Sequence, residues 1–134
     1  MITEVAEAVM KKYKGNLILR DVLTGLYFQQ APQNAVSPYG VFYFNGATYD
    51  EIMGGPNDNI TTVDLQFNLF SDADDGGQEI AVLAEQLDNC FNWQELYADD
   101  YHHIKMQRDT IVDVGFVDEV WQITTMYSMS IQKE

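Results

Sequence analysis

From Val63 to Leu69 the chain alternates strictly: Val63, Leu65, Phe67 and Leu69 are apolar, while Asp64, Gln66 and Asn68 between them are polar. A β-strand sends successive side chains to opposite faces, so this segment belongs in a sheet with one dry face and one wet face. The dry face requires a second layer, and two helix patterns supply it. Ile2, Val5, Ala6, Val9, Met10 and Tyr13 share one helical face. Thr3 suits the N-cap, Glu4 and Glu7 the positive end, Lys11, Lys12 and Lys14 the negative end, and Gly15 the stop. Ile80, Leu83, Ala84, Leu87 and Phe91 form a second apolar stripe at helical spacing.

Further strands are predicted at Leu26–Phe28, at the aromatic run Tyr39–Asn45, around Ile104, Met106 and Arg108, and at Val120–Gln132. In the last of these Trp121, Ile123, Tyr127, Met129 and Ile131 share a face. Leu17–Leu23 reads as an apolar stretch leading into the first strand, and Gln29–Pro38 as a connector. Asp50–Asn59 is a loop around Gly54-Gly55-Pro56, and Ser71–Gly77 is a turn into the second helix. The order α-β-β-β-α-β-β predicts an α+β fold: an antiparallel or mixed sheet of about five strands with two helices packed on one face. No repeat or linker divides the chain, so residues 1–134 are expected to form one domain.

Charge narrows the partners. With 21 acids against 7 Lys plus Arg, the net charge is −14. Phosphate backbones and anionic membrane surfaces both repel such a chain. The acids are spread along the sequence, which suits a soluble protein. Cys90 is the one cysteine, so no intramolecular disulfide forms and a reducing compartment is natural. It falls on the second helix's apolar stripe with Leu87 and Phe91, as a buried thiol would. The N-terminal residues lack the pattern of a signal peptide, and no apolar run reaches membrane-spanning length; a soluble protein made in the cytoplasm is expected.

Chemistry-bearing motifs are sparse. Asp72-Ala-Asp74-Asp75 suggests a calcium loop, but its fifth and twelfth positions hold Gly76 and Leu83 where oxygen ligands are needed. It reads instead as a turn whose acids favour a helix N-terminus. Asp99-Asp100-Tyr101-His102-His103 groups metal-capable types, yet adjacent histidines on a strand face opposite ways and no further Cys or His completes a site. Ser37, Ser71, Ser128 and Ser130 lack a nucleophile elbow, and no phosphate-binding glycine loop occurs. Tyr39, Phe42, Tyr43 and Phe44 have no interleaved cation with which to hold nucleic acid. No catalytic residue, cofactor or metal is expected, and the chain is expected not to be an enzyme.

One resemblance spans nearly the whole chain. After the amphipathic N-terminal segment come Ala31-Pro32-Gln33 and Ser37-Pro38-Tyr39-Gly-Val-Phe; Leu69-Phe70-Ser71 then enters a Gly-rich turn and an Ala/Leu helix, and Trp121-Gln122 lies in the closing strand-rich segment. Together these resemble the tail completion family of long-tailed bacteriophages, the tail terminators and tail-to-head joining proteins. The resemblance implies a virion protein made in the host cytoplasm. It would form a ring, usually a hexamer, at the head-proximal end of a long non-contractile tail. Its partners would be further copies of itself, the tail tube protein and the head completion or connector protein. DNA would pass through the ring without specific binding, and no membrane would be involved. The family implies no catalytic residues.

An acidic channel would repel DNA and let it slide. The candidate assembly element is the loop Tyr49–Asn59, centred on Ile52, Met53, Gly54, Gly55 and Pro56, where two apolar side chains sit in a glycine-rich setting. Deleting Ile52–Pro56 should spare the fold and abolish ring formation or head docking. Two other readings compete: a small acidic inhibitor or DNA mimic bound to a basic partner, and a hydrolase using Asp99, His102 or His103.

Overall fold

The computed structural model describes residues 2–50, 60–98, 101–102 and 106–133, with backbone alone at 2, 47–50, 60, 101–102 and 132–133. It has the α+β architecture expected. The sheet contains β1 (Gly25–Phe28), β2 (Tyr39–Asp50), β3 (Ile60–Ser71), β5 (Gln107–Val117), β6 (Val120–Lys133) and the two-residue β4 (Tyr101–His102). Its order is β1-β2-β3-β6, with β5 and β4 following one another along the far side of β6. Only the β1–β2 pairing is parallel, so the sheet is mixed.

Two 14-residue helices, α1 (Ile2–Gly15) and α3 (Gln78–Phe91), cover one face. Beneath them lie Val63, Leu65, Phe67 and Leu69 of β3, together with Ile123, Tyr127, Met129 and Ile131 of β6. Phe67 is the hub: its ring centroid is 5.7 Å from Phe42, 5.0 Å from Phe91 and 5.5 Å from Tyr127. Rings at these distances add edge and offset-stacked attraction to the burial of their area.

The sequence reading missed α2 (Leu17–Val22), which stands where an apolar lead-in to β1 was expected. Asn16 starts it, its Oδ1 accepting a hydrogen bond from the Leu19 amide at 3.0 Å. Leu19 then drops into the core, and the Tyr13 hydroxyl donates to the Leu23 carbonyl at 2.8 Å, tying α1 to the end of α2. β2 runs past the expected limit at Asn45, through a bulge between Phe44 and Gly46, to Asp50.

The turn into α3 works as its acids suggested. Asp75 Oδ2 accepts from the Glu79 amide at 2.9 Å, and Oδ1 accepts from the Gly77 amide at 3.1 Å. These charge-assisted bonds cap donors that the helix leaves open. Gly77 has φ 88°, and the Trp121 ring lies where a side chain would begin, 3.3 Å from an added Cβ. A larger residue there would be strained twice over. Cys90 is buried, as its place on the stripe implied, and burial pushes its thiol up from the ordinary range.

Candidate assembly surfaces

The fold presents a covered sheet face, an open sheet face and two unlike edges. On the open face, β3 and β6 carry Thr62, Asp64, Gln66, Asn68, Thr124, Met126, Ser128 and Ser130. These side chains hold one another. Asn45 donates to Gln66 at 2.8 Å, Gln66 to Asn68 at 2.9 Å, and Thr124 to the same Asn68 Oδ1 at 3.0 Å. The result is a neutral polar ladder on a strongly anionic protein, with Asp64 its one acid among the described side chains of β3 and β6.

β5 forms most of one edge, and its exposure sets it apart from β1, β3 and β6. All of its residues but Gly115 are exposed, including Ile111 at 45%, Val112 at 46%, Val114 at 44% and Phe116 at 59%. Bulges between Arg108 and Thr110 and between Asp113 and Gly115 break its register with β6. Consequently apolar side chains emerge on both faces, and neither face is covered. Phe116 leans one side of its ring on Trp121, with centroids 4.9 Å apart and planes 20° from parallel, and shows the other side to solvent. Among the described residues β5 pairs as a strand with β6 alone; its Arg108 amide donates to Asn92 Oδ1 at 2.8 Å, and beyond that point no described strand pairs with its outer edge. Soluble proteins normally blunt such an edge, because it is a template for another chain.

The other end of β5 is fixed. Arg108 Nη1 lies 3.0 Å from Asp88 Oδ2 of α3, and the Tyr127 hydroxyl donates to Asp88 Oδ1 at 3.0 Å. Burial first, and the adjacent Asp88 carboxylate second, hold the Tyr127 phenol far above its usual range. A single carboxylate thus joins helix, core and edge strand. The hairpin to β6 turns through Asp118 and Glu119, both at positive φ (52° and 66°), a conformation that favours Asn or Gly.

At the opposite edge α1 and β1 leave a groove of about 490 Å³ lined by Thr3, Ala6, Glu7, Met10, Lys11, Lys14 and Phe28. Its floor is apolar and two lysines stand over it. Four of the chain's seven cations, Lys11, Lys12, Lys14 and Arg20, lie within ten positions here. No ion pair involves Lys11, Lys12 or Lys14 among the described residues. The acids concentrate elsewhere. Ser71 pairs with Trp121, so Asp72, Asp74, Asp75, Asp118 and Glu119, all exposed, gather at one end of the sheet.

Of the residues singled out in the sequence, Ile52, Met53, Gly54, Gly55 and Pro56 lie outside the described residues, as do Asp99 and His103. His102 pairs with Gln132 through β4. Ser71 and Ser128 serve the fold: Ser71 donates to Glu79 at 2.7 Å and Ser128 to Asp109 at 3.0 Å. No group of three or more His, Cys, Asp or Glu side chains is arranged to hold a metal among the described residues. Sequence reasoning overlooked both edge surfaces. The run Ile111-Val112-Asp113-Val114 was a visible β signal, but it lacks alternation.

No protein-family model and no curated protein matches the chain. Among solved structures, a chain of the virion of a native gene transfer agent particle has the same fold. Its TM-score is 0.77 at 11% identity, with 97% of this chain and 96% of that one covered. A second solved chain gives a TM-score of 0.62 at 13% identity, covering 96% of each.

Proposed function

We propose that this chain is a structural protein of a phage-like virion: a ring-forming tail terminator or tail-to-head joining subunit at the head-proximal end of a long tail. The observation that carries the reading is the end-to-end likeness in fold to a chain of the gene transfer agent virion.

The surfaces suit the role. An exposed apolar edge strand and a lysine-topped apolar groove are features of a chain that is completed by contact with other chains. The acidic end, with Asp72, Asp74, Asp75, Asp118 and Glu119, suits a surface facing DNA in transit, because it adds no phosphate-binding cation and repels the backbone. An acidic inhibitor that mimics DNA would instead need rows of carboxylates along an open face. The ladder of β3 and β6 is neutral apart from Asp64.

Particles assembled without this chain should accumulate separate heads and tails, and adding the purified protein should restore joining, as counted by electron microscopy. Normal joining in its absence would overturn the reading.

A further inference from the structure

We propose that the ring contact is heterologous, with the β5 edge of one copy seated in the α1–β1 groove of the next. This rests on the ring reading above and assigns its two faces.

Three observations converge on a second copy as the occupant. The first is position. β1 and β5 are the opposite edges of one sheet, separated by β2, β3 and β6. A chain with complementary surfaces on opposite edges adds copies head to tail, which is how closed rings arise.

The second is height. The ladder register runs Phe28 to Phe42, Phe42 to Phe67, Phe67 to Thr125 and Thr125 to Ile111. Phe28 in the groove and Ile111 on the edge therefore occupy the same row of the sheet. Surfaces in one row can meet without an offset along the ladder, which suits a closing contact; a steady offset would generate a filament.

The third is charge complementarity. The exposed apolar residues Ile111, Val112 and Phe116 are flanked by Asp109 and Asp113, both exposed. The groove offers apolar Ala6, Met10 and Phe28, with Lys11 and Lys14 against one acid, Glu7. On a chain of charge −14, Lys11 and Lys14 belong to the segment 11–20, which carries four cations and no acid. Each surface thus joins apolar residues to a border whose net charge, positive at the groove and negative at Asp109 and Asp113, is opposite to the other's. Such borders select the partner and set its orientation.

The test exchanges the charges. One variant carries Lys11→Asp and Lys14→Asp; the other carries Asp109→Lys and Asp113→Lys. Thermal melts followed by circular dichroism establish that each folds, and native mass spectrometry and sedimentation read assembly, with and without tail-tube ends. Each variant alone should associate at least about tenfold more weakly than wild type. An equimolar mixture should regain assembly, because each variant's edge then fits the other's groove, and the recovered rings should alternate the two chains. The four changes combined in one chain should also restore assembly.

Wild-type rings with no recovery in the mixture or the combined variant would overturn this contact while leaving the ring reading intact. A species that stops at two copies would mean that β5 pairs with itself, and would overturn it as well. Wild type that remains monomeric under every condition, tube ends included, would remove the ring reading and this assignment with it.

Discussion

β3 and β5 are strands of nearly equal length in the same sheet, both bearing β-branched and aromatic residues, yet they do opposite work. β3 sends Val63, Leu65, Phe67 and Leu69 under the helices and Asp64, Gln66 and Asn68 to the open face. β5 lies beyond the helix layer, so Ile111, Val112, Val114 and Phe116 remain exposed within the single chain. Apolar content alone therefore does not mark the core. What marks it is whether the residues sort by face, because a second layer can cover only one side of a strand.

The contrast makes graded predictions. The largest effect falls on β3: Phe67→Ala removes the ring at the centre of three aromatic contacts and should cost about 3–5 kcal/mol in urea unfolding. A cost under about 1 kcal/mol would show that β3 is not the fold's keystone.

Next comes the link between the two regions. Asp88→Ala leaves Arg108 without its carboxylate and the buried Tyr127 hydroxyl without its acceptor, and should cost about 1–3 kcal/mol. Arg108→Ala should cost less, since Tyr127 keeps Asp88. Equal losses in the two variants would show that the hydroxyl contributes nothing.

A smaller effect has the opposite sign. Thr125 pairs with Phe67 on one side and Ile111 on the other, and its Oγ1 is buried without a partner. Thr125→Val should raise stability by about 1 kcal/mol, read as a higher melting temperature, because it replaces an unsatisfied hydroxyl with a methyl of similar size. A lower melting temperature would imply that the hydroxyl is satisfied in solution.

The smallest effect on folding belongs to β5. Ile111→Thr with Val112→Thr should move monomer stability by no more than about 0.5 kcal/mol, as exposed positions do, while association measured by sedimentation falls sharply. A large loss of stability in this variant would make β5 part of the core and erase the distinction.

The same contrast explains what could be read from the sequence. The alternation of β3, the Trp121–Ile131 face of β6 and the stripe Ile80–Phe91 were legible because burial on one side imposes a period. Ile111–Val117 was not, since exposure on both faces and two bulges leave no period to detect. Asp118–Glu119 turns the hairpin without the Asn-Gly signal. α2 is only six residues long, too short for a helical stripe, and Asn16 was its one clear cue. The segment Ile52–Pro56, marked as an assembly element by its glycines and apolar pair, lies outside the described residues, and the surfaces proposed above lie on β5 and the α1–β1 groove. Those surfaces depend on which strands become sheet edges, and that is a property of topology.

The most direct test of the account is the native mass of the purified wild-type chain across a concentration series, alone and with tail-tube ends. The account predicts one closed species at a fixed whole-number multiple of the monomer, formed at high concentration or on the tube ends. A chain that stays monomeric throughout, or that grows into open polymers of every length, would contradict it.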